Sequence, residues 1–263
     1  MIRVFLAEWR KLRRPALFVG TMAAVIGVSA LVTSLLFLLI DSAHGNSRAG
    51  ELVTRASLEL PHGISVGFSG SAGLLGLVAL CIFASQTAQE YTYGTLRNLL
   101  VRQPRRLTLL LGKFLAMNFF ALIAVIFSAV VSVSLAYALS GKAKVSTAAW
   151  STSDARTSLL HTFINVFISV IAYGTIGMIL GLLLRSPISS ISIGVGWLLV
   201  VESIIAATVK NSGKWMPAQL MTSIASGGDF NASYSHAMLV LSVYLAVGVI
   251  IVSVLFRRRD VAN

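Results

Sequence analysis

Charge is scarce in this chain and acid scarcer still: 11% of its 263 residues are charged, and nine Asp and Glu face 21 Lys and Arg, for a formal net charge of +12. Soluble globular domains carry about 25% charged residues, so a water-facing shell around one core is excluded. There is one cysteine, Cys81, which excludes an intrachain disulfide and a cysteine-rich metal site. The four histidines, His44, His62, His161 and His236, show no metal-ligand spacing. Enzyme inventories are also missing, with no HExxH, no GxSxG and no paired intramembrane aspartates. A phosphate-cradling GxxxxGK(S/T) loop is absent too. Gly112-Lys113, Gly141-Lys142 and Gly213-Lys214 all lack the following Ser or Thr and the Gly five residues earlier. No cofactor is expected on this chain, and if ATP drives its work, the nucleotide and Mg2+ sit on another subunit.

What the chain has is hydrocarbon. Hydrophobic residues make up 56%, and the mean hydropathy is +0.85. Six runs are long enough to cross a hydrophobic layer of ~30 Å, which takes ~20 helical residues: about 16–40, 65–88, 107–139, 159–184, 188–209 and 237–256. The runs lack period-two alternation and exceed barrel-strand length, so the expected class is an all-α integral membrane protein with six transmembrane helices. A basic head precedes the first run but no small-residue cleavage motif follows it, so the first span is expected to be retained.

Placing both termini on one side gathers Arg3, Arg10, Lys11, Arg13, Arg14, Arg97, Arg102, Arg105, Arg106, Lys113, Arg185 and Arg257 to Arg259 there, with Glu8, Glu90 and Asp260 as the acids. The positive-inside rule makes that side cytoplasmic. A pI near 10.6 would suggest nucleic acid for a soluble chain. Here topology and anionic lipid head groups account for it, and no nucleic-acid partner is expected.

Residues 1–15 form an amphipathic helix of their own. Ile2, Phe5, Trp9, Leu12 and Ala16 share one face, and Arg3, Arg10, Lys11 and Arg14 lie mainly opposite, with Arg13 beside them. Such a helix is expected to lie in the membrane interface. Of the outer loops, 41–64 is polar and without periodicity, 140–158 is expected to be flexible, and Trp215 to Ala225 is expected to be a short helix resting at or dipping into the outer leaflet. Small residues mark candidate helix contacts: Gly174, Gly177 and Gly181; Gly70, Gly73 and Gly76; and Ser189 to Gly196. Asn118 and Asn165 are expected to bond between helices. Glu202, the one acid inside a predicted span, either lines a substrate path or is a carboxyl bonded to Ser203 or to a neighbouring helix.

The most informative stretch is 90–113, EYTYGTLRNLLVRQPRRLTLLLGK, set between two apolar runs. On a helical wheel Leu96, Leu99 and Leu100 share one face, and Arg97, Asn98, Val101, Arg102 and Arg105 the other, with Pro104 ending the helix. That is the pattern of a docking surface.

Glu90, then Gly94-Thr95-Leu96-Arg97, then Arg105 or Arg106 and Gly112-Lys113, together with Glu8 to Arg14 before the first span and the terminal Phe256 to Asp260, resemble permease subunits of ABC-2 type exporters. The resemblance covers the whole chain in layout and two or three dozen residues in motif. It implies a six-helix transmembrane domain (16–263), with Phe5, Trp9, Arg10, Lys11, Leu12 and Arg13 on an elbow helix. It also implies a cytoplasmic coupling helix at about 94–103, carrying Gly94, Thr95, Leu96, Arg97, Leu99, Leu100 and Arg102 and preceded by Glu90, which docks on a separate ABC ATPase. The expected assembly pairs two permeases, identical or related, in a bacterial plasma membrane. The compact loops are similar to those of the antibiotic, bacteriocin and lantibiotic resistance branch, which implies export of a peptide, antibiotic or lipid-like amphipathic compound. The alternative is a self-sufficient secondary transporter or channel.

Overall fold

A computed structural model describes residues 2–40, 53–95, 99, 101 and 105–258. Among the described residues all regular structure is helical, and six helices are long and apolar enough to cross a membrane. This is the architecture of a multi-pass membrane protein, as composition anticipated. The helices are α1 (Ile2–Leu12), α2 (Pro15–Leu38), α3 (Arg55–Leu58), α4 (Val66–Thr92), α5 (Arg106–Ser140), α6 (Ser153–Leu184), α7 (Pro187–Val195), α8 (Glu202–Thr208), α9 (Pro217–Ser226) and α10 (Tyr234–Arg258). A one-turn π segment, Gly196–Val201, joins α7 to α8 within the fifth span.

Local chemistry sets the boundaries. Pro15, Pro187 and Pro217 each open a helix, where the missing N–H costs nothing. Thr152 and Ser186 accept the amides of Ala155 and Ser189 as N-caps. Arg185, at φ 55°, turns the chain in the left-handed region between α6 and α7, its guanidinium 5.4 Å from the Tyr91 ring centroid.

The centre of the fold is the crossing of α4 and α6, the most extensive helix pair. Glycines permit it. A Cβ on Gly177 would lie 2.3 Å from the Leu80 carbonyl oxygen, one on Gly181 2.8 Å from that of Ala84, and one on Gly76 2.1 Å from the Tyr173 ring. The α6 stripe therefore lies against the α4 backbone at Leu80 and Ala84, and Gly76 of the α4 stripe makes room for the Tyr173 ring, as close backbone packing in lipid demands. Helix α2 packs on α4 and α5, and a buried hydroxyl pair, Ser29 and Ser128 at 2.7 Å, bridges α2 to α5. Leu31, Leu35, Val243, Val247 and Ile250 point outward, an apolar surface suited to hydrocarbon.

Two expectations change, and a third gains detail. Residues 140–158 are not a loose loop. The buried Trp150 indole donates to the Leu58 carbonyl at 2.8 Å, Arg55 donates to Ala143 O at 2.9 Å, and Phe37 and Tyr137 pack edge-on to the Trp150 ring. A buried indole must find an acceptor, and that requirement ties the loop to α3. Helix α9 is the short helix expected at Trp215 to Ala225, and it packs into the bundle. Leu220, Met221 and Ile224 are fully buried, and the helix packs among α4, α6 and α10. Asn118 bonds its own helix, donating to Phe114 O at 2.8 Å, whereas Asn165 does bond between helices, accepting from the Tyr234 hydroxyl at 3.0 Å.

Candidate functional site

At one end of the bundle the first turns of the chain meet the end of α4 and the start of α5. The apolar face of α1 turns toward α5: Phe5 and Trp9 pack edge-on to Phe119, and Leu12 is buried in the main core. That docking carries Glu8 and Lys11, one turn apart, inward against Glu90 and Lys113. Lys113 Nζ lies 2.7 Å from Glu90 Oε1 and 3.1 Å from Glu8 Oε2, and it donates to Gln86 O at 3.0 Å. Lys11 Nζ lies 2.6 Å from Glu8 Oε1 and 2.8 Å from Glu90 Oε1. Two acids and two lysines close a neutral ring across three helices.

Lys113 is 1% exposed, Glu8 3% and Glu90 6%, so neither a lone ammonium nor a lone carboxylate would be tolerated here. Burial pushes the Glu8 carboxyl up, but the Lys113 and Lys11 ammoniums outweigh it and hold the group below its usual range. Burial likewise pushes Lys11 down, and the Glu90 and Glu8 carboxylates reverse it to a raised value. Glu8 and Lys11 therefore favour their ionised forms, and the chemistry of the ring is that of a tie between helices.

Sequence reasoning placed Lys11 on the solvent face and counted Glu8 and Lys113 as surface charges; all three belong to the ring. A signal was present. Lys113 falls six residues inside the third apolar run, and an intramembrane lysine calls for a carboxylate partner. Arg10 and Arg13 are exposed, with Arg13 just past the end of α1.

The segment expected to dock begins just beyond Glu90. Helix α4 stops at Thr92, Gly94 adopts φ 65°, and Thr95 is exposed, while Leu99 packs against the main core. Leu96, Arg97, Leu100 and Arg102, and with them Pro104, lie outside the described residues.

Glu202 is remote from this ring. It is fully buried, and its Oε2 accepts the Ala218 amide in the first turn of α9 at 2.7 Å. The carboxylate thereby pins α9 to the fifth span and meets the positive end of that helix. Trp197 and the Gln219 amide sit nearby without closing a hydrogen bond to Oε1, which has no partner among the described residues. Ser203 does not bond to it, since its hydroxyl turns back to its own helix at Leu199 O.

Residues 52–262 match the family described as protein of unknown function (DUF2705), and the chain belongs to that family. No curated protein matches it.

Proposed function

We propose that this chain is the membrane-spanning permease subunit of an ATP-driven exporter of the ABC-2 type, working with a separate ABC ATPase and a second permease in a bacterial plasma membrane. In this reading both termini and the 94–103 coupling helix are cytoplasmic, α1 is the elbow helix, and the cargo is a peptide, antibiotic or lipid-like amphipath. The observation that carries it is the charged ring. Glu90 and Lys113 bracket the proposed coupling segment, and both are held to α1 by Glu8 and Lys11. A push on that segment would thus reach α4, α5 and α1 together, which suits a coupling element better than a passive loop.

The test is co-expression with a candidate ATPase, affinity purification and mass spectrometry, followed by ATPase assays in vesicles. The isolated chain is expected to hydrolyse no ATP. Reversing the sign of Arg97 and Arg102 is expected to weaken ATPase association with membrane insertion intact, because surface charges govern docking more than folding. Normal assembly and transport by that double variant would overturn the coupling role.

A second reading, a self-sufficient secondary transporter, rests on Glu202, whose buried and half-partnered carboxylate is the kind of group that ion-coupled carriers use. Cargo movement in vesicles without any ATPase would favour it.

A further inference from the structure

The fifth span breaks its α-helical winding once. Gly196–Val201 is a π segment, and the Glu202 amide donates to the Trp197 carbonyl five residues back. An α-helix would set these two side chains about 140° apart, whereas the wider turn leaves Trp197 beside the Glu202 carboxyl. Single π turns inside α-helices are frequent at functional sites. Here the turn aims an acid into the bundle.

Glu202 is 0% exposed within a membrane-spanning segment, and no lysine or arginine pairs with it among the described residues. Oε2 has the Ala218 amide, and Oε1 has no partner among the described residues. A buried carboxylate is costly, and one amide with the positive end of α9 offsets only part of that cost. The bare oxygen is the place where a proton neutralises it.

One titratable side chain faces this carboxyl among the described residues. The Tyr173 hydroxyl of α6, itself buried, lies beside both Glu202 and Thr222. Helices α7 and α9 and the π segment carry no ionisable side chain, and α4 gives its one acid, Glu90, to the ring. From α10, Tyr234 and His236 turn to Asn165 and to the Lys214 carbonyl, and Lys214 itself is exposed. Gly73 of α4 adjoins the two hydroxyls: a Cβ there would stand 3.9 Å from that of Tyr173 and 4.0 Å from Thr222 Oγ1. Thr222 is exposed, so a line of hydroxyls leads from the surface to the buried acid.

We infer that Glu202 is a proton-exchange site, loaded and emptied at Oε1 by way of Thr222 and Tyr173. The proton comes from bulk water, forms an O–H bond at Oε1 and cancels the negative charge. Oε2 goes on accepting the Ala218 amide as a carbonyl oxygen, so α9 stays capped in both states and the charge alone changes. Proton binding here needs neither ATPase nor cargo, and either functional reading leaves it intact.

The test is pH-difference infrared spectroscopy on the full chain in lipid nanodiscs, reading the C=O stretch of a protonated carboxyl above the amide band. The wild type is expected to show a band that grows in acid, fades reversibly in alkali and shifts in deuterated water. Glu202→Gln is expected to remove it. Should that variant fail to purify monodisperse, Glu202→Asp keeps a carboxyl one methylene shorter and is expected to move the band. Tyr173→Phe and Thr222→Val are each expected to keep the band and slow its deuterium exchange several-fold. A band unchanged in both Glu202 variants, or one that never responds to pH, would overturn the proposal. So would exchange at the wild-type rate in both hydroxyl variants, because the route would then lie elsewhere.

Discussion

Lys113 and Glu90 stand 23 residues apart in sequence and 2.7 Å apart in space, and the Lys113 ammonium is almost wholly shut off from solvent. Glu8, arriving from the first helix, completes the neutralisation at 3.1 Å. Each lysine of the ring touches both acids, so the N-terminal helix is tied to the bundle by charge as well as by Trp9 on Phe119.

Removing one member should therefore cost more than the pair is worth. Lys113→Met leaves Glu8 and Glu90 with Lys11 as their one shared cation, so one buried negative charge goes uncompensated, and the fold is expected to lose ~3–5 kcal/mol. Adding Glu90→Gln should recover a large part of that loss. A double-mutant cycle on denaturant or thermal unfolding in micelles measures the coupling, and strictly additive losses would show that the ring carries no interaction energy.

The ring also sets a pH window. Glu8 is lowered in the folded state, so its contribution is present above the ordinary carboxyl value of 4.5 and is lost as pH falls through the lower folded value. Lys11 is raised, so its contribution is present below 10.5 and is lost as pH rises through the higher folded value. Stability from these two groups should be flat between the two limits, and Glu8→Gln should shrink the acid limb. Melting temperature against pH for wild type and variant checks both signs.

Backbone contact at the α4–α6 crossing leaves no room for a side chain. Gly177→Ala would press a methyl against the Leu80 carbonyl, and because both are backbone, the helices must part. A loss of ~1–3 kcal/mol is expected, typical of overpacking. Gly20→Ala, with nothing within 4 Å, is the control and should be neutral or slightly stabilising. Thermostability in detergent separates the two.

Glu202 offers a test that divides charge from shape. Glu202→Gln keeps an acceptor for the Ala218 amide and should hold stability, whereas Glu202→Ala loses the cap of α9 at a cost of ~1–2 kcal/mol. If Glu202 also lines the cargo path, Glu202→Gln should impair cargo-stimulated ATPase in the assembled complex with expression unchanged. Equal transport by wild type and Glu202→Gln across several cargoes would leave it the structural role alone.

The glycine stripes and the apolar runs were legible because periodicity and size act locally: Gly177 and Gly181 announce a close contact without naming the partner. The buried indole of Trp150 was not legible, since its acceptor, Leu58 O, lies 92 residues away. Helix α9 was legible as a helix, but its burial depends on the space that α4, α6 and α10 leave between them.

Sequence alone determined that the chain has six segments long and apolar enough to cross a membrane as helices. Hydrocarbon admits few other forms for long apolar segments, because every backbone amide must be satisfied within its own element. Only tertiary structure decided which charges are surface and which are buried. Glu8, Lys11, Glu90 and Lys113 read as part of a charged, water-facing fringe until α1 folds onto α5. Ion pairing acts over a few ångströms of space, and sequence distance carries no information about it.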